Sequence, residues 1–585
     1  MLPADLRVEP LPVAHLPVIR AIVDELQIRD VLDDVLPLDV RGRVSDGDCV
    51  TAMILNILEG RVALYSMEQW LARTDTRVLL GADCPAEAFN DARLAACLDH
   101  LHEAGTDDIL TRVVTRYLRR EDAPSEYTVH GDTTSIQLSG AYEGAGFPRP
   151  ARGYSKDHRP DLLQLVFGMT LHGATGIPLT SAMFSGNTTD PIANRVHLDQ
   201  LADLLPEEDD ITVVGDCKLV DAQTLGQLLL HRFHFVSLLP ATFNRREELV
   251  NSVRAMGPMP EIGHTKGRTK AEPDRVYRGK SFDHPYVVGL DSPGDNRTRE
   301  VQLRYLVVES TQLAEQEEAA LDRRLERERT KFAEALGEAA RRTYACVADA
   351  ELARERLTRK LEYHTAHVDV VSETVTLPRG KRGRPPAGEP APTAEVFRLV
   401  EAKPLEPITE AIETLRFHAR HFVLVTDHLD REKWPDARIL AEYRHQHVIE
   451  GHTGFRWLKT VAQVAPVFLH TPERIAALGL VFVLALMVRN YLQFTLRRRL
   501  VETGETVPDR LGKPYQKPTT ETALIPFATV TVNRIFLGDQ LAKLQVTGLD
   551  KHAYTVLRML RIDESVFFTS RTRKMTEAAR ETPGM

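Results

Sequence analysis

The segment DDITVVGDCKLVDAQTLGQLLLHRFHFVSLLP, residues 209–240, predicts a buried strand, a helix and a second buried strand. Its two apolar runs have the length of strands, and the stretch between them has helical spacing. Residues 126–140, 162–172 and 178–190 are also strand-like and are separated by glycine-rich or charged turns. This alternation predicts an α/β fold, in which a mixed sheet is covered by helices on both faces.

Several domains are expected, because 585 residues exceed what one hydrophobic core usually supports. The N-terminal region predicts an all-helical domain, with one helix that begins at an N-cap Ser45 and ends at Gly60. The predicted regions are residues 1–120 (helical N-terminal domain), 121–240 (first part of the catalytic core), 241–435 (insertion domain), 436–500 (second part of the core) and 501–585 (C-terminal tail region).

The insertion domain has its own pattern, a β-hairpin followed by a highly charged helical stretch from Thr311 to about His364 and then a basic linker. The simplest interpretation of the charged stretch is a helical hairpin or a coiled-coil arm. Further on, the apolar run at residues 475–488 has 14 residues. A membrane span needs about 20, so this run predicts a buried core helix and no membrane partner.

Charge and cysteine content narrow the class of protein. The net charge of -9 argues against uniform phosphate binding, although local basic patches remain compatible with nucleic acid. The five cysteines lack CxxC spacing, which predicts neither a disulfide framework nor a structural zinc site. Together with the lack of a secretory signal in the first residues, this indicates a cytoplasmic location. The histidines at 428, 445, 447 and 452 lack HExxH spacing, so solvated or core histidines are favoured over a zinc site.

Two aspartates, Asp132 and Asp216, each follow a short apolar run and a glycine. Either one alone could be an ordinary turn residue. On neighbouring strands of one sheet, however, the two carboxylates would repel each other unless a cation lay between them. Mg²⁺ fits such a site because it prefers hard oxygen ligands. Two such ions can activate a water or a 3'-hydroxyl in phosphoryl transfer. A third carboxylate, from a helix packed on the sheet, would complete the site.

Asp132, Asp216 and Glu450, with their surroundings, resemble the acids of the DDE transposases of bacterial insertion sequences, and within these the IS-four-like branch, which has a large insertion before the glutamate. The resemblance covers nearly the whole chain. The segments that carry it are LPVIRAIVDELQIRDVLDDVLPLD (16–39), GYSKDHRPDLLQL (153–165), SGNTTD (185–190), FRWLKTVAQVAPVFLHTPERIAALGL (455–480) and LGKPYQKPTTET (511–522).

The resemblance implies an RNase H-like core with Asp132 on its first strand, Asp216 on its fourth and Glu450 on a late helix. It also implies that these three acids hold two Mg²⁺ ions, with Mn²⁺ as an alternative. The implied activity is cleavage of the ends of a mobile element and joining of the freed 3'-hydroxyl to target DNA. The implied partners are double-stranded DNA, as terminal inverted repeats and target, and a second copy in a homodimer that works at the nucleoid. The N-terminal domain is expected to bind the DNA ends.

The helix that carries Glu450 departs from the pattern of the family it resembles. Tyr443 and Glu450 fit, but Gln446 stands at the usual arginine position, and Lys459 follows Glu450 by nine residues instead of seven. Trp457 takes the expected lysine position. A seven-residue step returns to about the same helix face, whereas a nine-residue step points to the opposite side.

Two explanations of that departure remain open. Gly451 and Gly454 are poor helix formers and favour an interrupted helix, which would bring Lys459 back to the site. The plainer alternative is that Lys459 is a solvated lysine. Under the first explanation, the residues expected to contact DNA from this segment are Tyr443, Gln446, Arg456 and Lys459.

The basic linker RGKRGRPP, residues 379–386, resembles the core of an AT-hook. Its arginines Arg382 and Arg384 flank a glycine, and a narrow arginine-bearing strand fits the A·T minor groove. A flexible basic linker that makes nonspecific phosphate contacts is the alternative.

Two other functions remain open at this point. A catalytically inactive DNA-binding protein derived from a mobile element would keep the fold without the chemistry, and the presence of all three acids weighs against it. A coiled-coil scaffold would instead depend on residues 311–364.

Overall fold

The structure is a computed structural model, and it describes residues 6–36, 43–81, 84–138, 142, 146–154, 159–206, 210–240, 243, 245–266, 274–289, 298–378, 391–451, 453–460, 469 and 471–568. The helices are α1 (Leu16–Glu25), α2 (Ile28–Val35), α3 (Asp46–Glu59), α4 (Met67–Leu71), α5 (Thr76–Leu79), α6 (Asp91–Glu103), α7 (Thr106–Leu118), α8 (Asp190–Leu204), α9 (Ala222–Leu230), α10 (Arg246–Ala255), α11 (Thr311–Ala340), α12 (Val347–Thr358), α13 (Thr409–Ala419), α14 (Asp436–Arg444), α15 (His447–Glu450), α16 (Phe455–Thr460), α17 (Pro472–Thr503), α18 (Thr520–Ala523) and α19 (Lys551–Leu560). The strands are β1 (Leu6–Pro12), β2 (Tyr127–Leu138), β3 (Leu163–His172), β4 (Pro178–Ser185), β5 (Ile211–Gly215), β6 (His234–Leu238), β7 (Glu261–Thr265), β8 (Arg275–Gly289), β9 (Thr298–Ser310), β10 (His364–Thr376), β11 (Thr393–Pro407), β12 (His421–Thr426), β13 (Val507–Pro508), β14 (Pro514–Tyr515), β15 (Thr531–Leu537) and β16 (Gln540–Thr547).

The central sheet has, among the described residues, the strand order β4-β3-β2-β5-β6-β12-β9-β8-β7. Strands β2, β3 and β4 form an antiparallel meander. Strand β5 pairs parallel to β2, and β6 pairs parallel to β5, with α8 and α9 as the connecting helices. Three antiparallel strands followed on the other side of the first by two parallel ones form an RNase H-like core. The predicted α/β class is confirmed. Asp132 lies on β2, the first strand of this core, as predicted, whereas Asp216 follows directly after β5, the fourth strand.

The two faces of this core are covered by different helices. Helices α8 and α9 pack on one face, and α14, α15 and α17 pack on the other. Strand β2 alternates between the faces because successive side chains of a strand point to opposite sides. His130, Asp132 and Thr134 are therefore on one face, and Val129 and Thr133 are on the other. Thr133 accordingly reaches Asp190 at the start of α8, on the face of the sheet opposite to Asp132.

The N-terminal region is largely helical, and α3 is capped as its sequence predicts. Ser45 accepts from the backbone N–H of Asp48, the Asp48 carboxylate accepts from the backbone N–H of Ser45, and the helix ends at Gly60. The prediction of an all-helical domain is nevertheless wrong, because β1 pairs antiparallel with β15, from the predicted tail region. Strand β16 completes this small sheet. The physical reason is that β1 finds its hydrogen-bonding partner more than 500 residues away, beyond the reach of local patterns.

The boundary of the predicted insertion is also corrected. The hairpin β8–β9 is present, but it extends the central sheet, and β12 joins this extension to β6. The part of the predicted insertion that does not join the central sheet is shorter. It consists of α11, α12 and the two-stranded sheet β10–β11, which enclose a small hydrophobic core of their own. Phe332, Leu336 and Leu399 lie in that core. The basic linker with Arg382 and Arg384 lies outside the described residues.

Helix α17 is the central support of the molecule. It contacts α1, α3, α6 and α7 of the N-terminal region as well as β4 of the central sheet, so that these parts share one hydrophobic core. Within the described residues it is the one single helix long and apolar enough to cross a membrane, but its apolar window is 100% buried inside the protein. A bent pair, α3 with the segment Leu64–Leu71, passes the same test of length and composition. The prediction of a buried core helix is confirmed.

Candidate active site

Asp132 lies on β2, and Asp216 directly follows β5, the strand that pairs parallel with β2. In the parallel pairing of β2 with β5, Tyr127 is opposite Ile211 and His130 is opposite Val214. Two further steps along both chains reach Asp132 and Asp216. Paired residues of adjacent strands lie on the same face, about 4.8 Å apart in backbone position. Asp132 is therefore level with the end of β5, which Asp216 directly follows.

Local hydrogen bonds orient both carboxylates. The backbone N–H of Thr133 donates to Oδ1 of Asp132 at 2.7 Å. The backbone N–H of Lys218 donates to Oδ1 of Asp216 at 2.9 Å, in the short turn that follows β5. Asp216 is exposed and Asp132 is partly buried. The pair thus faces solvent, with its backbone fixed by the sheet.

Glu450 is the last residue of α15, which packs on β2 and β3. Its side chain is exposed. Tyr443, at the end of the preceding helix α14, is within electrostatic reach of both Glu450 and Asp216. Burial, and next the negative charges of Asp216 and Glu450, raise the pKa of Tyr443 to about 12. One phenol therefore senses both carboxylates. Its hydroxyl stays protonated at neutral pH and can act as a hydrogen-bond donor.

The predicted interruption after Glu450 is confirmed. Helix α15 ends at Glu450, Gly451 has extended backbone angles, and α16 begins at Phe455. The two glycines are required by close packing. A Cβ on Gly454 would lie 1.9 Å from the carbonyl oxygen of Ile449, and a Cβ on Gly451 would lie 2.3 Å from that of His447. Nothing larger than hydrogen fits at either position.

The residues after the break separate into core and surface. Trp457 is 1% exposed, and its indole N–H donates to Oε1 of Glu521 at 3.2 Å. It is a core residue and takes no part in the candidate site. Arg456 is exposed, and Lys459 is partly buried. Gln446 is also partly buried, between α14 and α15. The DNA-contact roles of Arg456, Lys459, Gln446 and Tyr443 stay predictions.

A fourth acid next to the site was missed from the sequence. Asp190, the first residue of α8, accepts a hydrogen bond from the hydroxyl of Thr133 at 2.5 Å. Burial, then Asp216, and with a smaller effect Asp190, raise the pKa of Cys217, which places both carboxylates within electrostatic reach of this thiol. In the sequence this acid is the aspartate that ends SGNTTD, but no local pattern relates that position to Asp132.

The start of α14 is held to the sheet by a buried arginine. Arg304 on β9 is 1% exposed and forms an ion pair with Asp436. Its Nη1 also donates to the carbonyl oxygen of Trp434 at 2.7 Å, and its Nε donates to the hydroxyl of Ser281 at 3.0 Å. A buried guanidinium with this many partners fixes where α14 begins. The sheet extension thereby positions the helices that carry Tyr443 and Glu450.

The fold and the acids on its central strands define an RNase H-like α/β protein with a candidate carboxylate site. Residues 9–115 match a family model described as a domain of unknown function, DUF4277. Among solved structures, the chain is similar to a piggyBac transposase in a cryo-EM synaptic complex with hairpin DNA. That similarity has 8% sequence identity and a TM-score of 0.38, and it covers 89% of this chain and 82% of that chain. No curated protein matches the sequence.

Proposed function

We propose that this protein is a DNA transposase of the insertion-sequence type, of the IS-four-like DDE branch, which cleaves the ends of a mobile element and joins the 3'-hydroxyl to target DNA. One observation carries the proposal. Asp132 lies on β2 and Asp216 directly follows the adjacent parallel strand β5, and Glu450 ends a helix that packs over β2. Three carboxylates held in this way, at a site open to solvent, suit metal-dependent phosphoryl transfer.

The donor set suits Mg²⁺, with Mn²⁺ as an alternative, because it consists of hard carboxylate oxygens carried on or directly after regular elements. Asp132, Asp216 and Glu450 would hold the ions. When bound, two such ions supply Lewis-acid activation of the attacking hydroxyl and stabilisation of the leaving oxygen. Asp190 is not one of these ligands, because it bonds Thr133 on the opposite face of β2.

The chain's own residues position the reactants. The sheet fixes the backbone of Asp132 and the turn after β5 fixes Asp216, so that both carboxylates keep their direction. The protonated Tyr443 hydroxyl offers a donor close to two carboxylates. Lys218, exposed two residues after Asp216, offers a positive charge to a DNA phosphate at the mouth of the site. The N-terminal domain would bind the element ends, and a homodimer would hold two ends together.

Cleavage of element ends by purified protein tests the proposal. The probe is labelled duplex DNA that carries the inverted repeats bracketing the gene, incubated with the full chain and Mg²⁺. We expect cleavage at the repeat ends by the wild type, loss of cleavage in Asp216→Asn and Glu450→Gln, and retained DNA binding in both. Glu432→Gln removes an exposed carboxylate on the loop before α14 and serves as the matched control, which should cleave normally.

Two results would overturn the proposal. Normal cleavage by Glu450→Gln would show that the acid site is wrong. Binding of the repeats by wild type without cleavage in either Mg²⁺ or Mn²⁺ would support the inactive DNA-binding protein instead.

A further inference from the structure

A second group of metal-ligating side chains lies beside the carboxylates, further back along β2. It consists of His130 on β2 and of Glu442 and His445 at the end of α14. One ligand atom from each residue lies within 4.8 Å of the other two. The rings of His130 and His445 meet edge to face, with centroids 5.5 Å apart. The group joins the sheet to the helix that carries Tyr443.

His130 is the unusual member. Its side chain is 0% exposed, yet among the described residues neither ring nitrogen has a hydrogen-bond partner. Buried polar atoms are nearly always satisfied, because desolvating them without a partner costs free energy. His172 on β3, which is also buried, shows the usual situation: its Nε2 bonds the carbonyl oxygen of Glu126 at 2.8 Å, and its Nδ1 accepts from the backbone N–H of Thr175. Both ring nitrogens of His130 are therefore left available for coordination by the part of the chain that the structure describes.

Two imidazoles and one carboxylate form a donor set that suits zinc. Zn²⁺ commonly takes two histidines and a glutamate with a fourth position left for water, whereas Mg²⁺ prefers oxygen ligands alone. Ligand atoms around a tetrahedral zinc ion lie about 3.3 Å apart, so that the group must close slightly around an ion. Glu442 and His445 are only partly buried, which gives them room to rotate and gives an ion a path to His130.

We propose that His130, Glu442 and His445 bind one transition-metal ion of the zinc class, at a site distinct from the three acids. The ion would fasten the end of α14 to β2. Because α14 leads directly into α15, this connection would fix Tyr443 and Glu450 relative to Asp132. The site is a structural one that positions the candidate active site, and it stands whether or not the protein cleaves DNA.

Metal titration of the full-length protein tests this site. The protein is stripped with a chelator and titrated with Zn²⁺ in competition with a chromophoric chelator, in an Asp216→Asn background so that the carboxylate site contributes little. We expect one equivalent of Zn²⁺ per chain. Loss of an outer partner of a metal ligand costs about 10- to 100-fold in affinity, so Glu442→Gln, which removes a ligand, should weaken binding by more than about 100-fold.

The matched control is another histidine pair next to acids. His234 and His428 stack with centroids 4.4 Å apart, but their nitrogens are engaged. Nδ1 of His234 bonds Asp427 at 2.8 Å, and Nε2 of His428 bonds the hydroxyl of Thr212 at 3.0 Å. His234→Asn should therefore bind Zn²⁺ as tightly as its parent.

Two further measurements keep the test independent of folding defects in the variants. Co²⁺ added to the stripped parent protein should give the visible absorption of a tetrahedral site. Zn²⁺ should raise the thermal midpoint of the parent but not that of Glu442→Gln. Absence of the tetrahedral Co²⁺ signal in the parent, or equal Zn²⁺ affinity in the parent and in Glu442→Gln, would overturn the proposal.

Discussion

The side-chain amide of Asn490 on α17 donates to the backbone carbonyl oxygen of Thr453 at 2.8 Å, in the break that follows Glu450. The same amide donates to the carbonyl oxygen of Gly176 at 2.7 Å, in the turn between β3 and β4. Asn490 is 1% exposed. Helix α17 thus connects the interruption between α15 and α16 to the turn between β3 and β4.

Asn490→Ala should destabilise the protein by about 1–3 kcal/mol, because each buried carbonyl left without a donor costs free energy. It should also lower DNA cleavage under conditions where the variant is fully folded, since the segment after Glu450 loses its anchor. Chemical unfolding and the cleavage assay measure the two effects. Asn533→Ala, which removes an exposed bond to Thr547 on the small sheet, should change neither by more than experimental error.

The same substitution should have opposite effects at two glycines. Gly454→Ala puts a Cβ 1.9 Å from a carbonyl oxygen and should destabilise the fold by at least about 2 kcal/mol. Gly337→Ala lies inside α11, where the new Cβ would meet no described atom within 4 Å beyond the neighbouring backbone of its own helix, and it should stabilise the α11–α12 region by about 0.5–1 kcal/mol. Thermal unfolding of the two variants compares them. A Gly454→Ala protein as stable as wild type would mean that the break is not a close approach of backbones.

Tyr443→Phe removes only the hydroxyl that senses Asp216 and Glu450. The ring packs with Phe422 and the core under α14, and phenylalanine keeps that packing. We expect cleavage to fall about 10-fold, the effect of one lost hydrogen bond to a charged group, with little change in stability. Tyr305→Phe is the control, because burial also raises the pKa of Tyr305 to about 12, but on β9, away from the acids. Equal cleavage by both variants would contradict a role for the Tyr443 hydroxyl.

Acid should destabilise the core through His197. This side chain belongs to α8 and is buried against β4, where it bonds the hydroxyl of Thr180, and burial lowers its pKa to about 4 from an ordinary 6.5. The folded state therefore keeps His197 neutral, while the unfolded chain takes up a proton below about pH 6.5. The stability that depends on the neutral form is complete above pH 6.5 and is lost as the pH falls toward 4.

At pH 5 that loss amounts to about 2 kcal/mol. His197→Gln should flatten the fall in unfolding midpoint between pH 7 and pH 5 relative to wild type. His264→Gln, at an exposed position on the edge strand β7, should leave the pH profile unchanged. An unchanged profile in His197→Gln would assign the acid sensitivity to other groups.

Much of the fold follows from local pattern. Short apolar runs with glycine before an acid predicted β2 and β5, and the capping residues Ser45 and Gly60 predicted the ends of α3. The break after Glu450 was predictable because glycine weakens a helix wherever it stands.

Contacts between distant segments were not predictable in this way. Strand β1 pairs with β15, β8 and β9 extend the central sheet, and Asp190 meets Thr133 only because α8 packs under β2. No sequence pattern singled out His130, because whether its ring nitrogens find partners among the described residues depends on side chains from another part of the chain.

The pairing of β1 with β15 has a consequence for synthesis. Leu6 lies opposite Leu537, so the first strand leaves the ribosome long before its partner has been made. The N-terminal helices also cannot be fully buried until α17, which packs against them, has been synthesised late in the chain. Folding is then completed largely after translation has passed residue 537, and C-terminal truncation before that point should leave the amino-terminal half exposed to proteases.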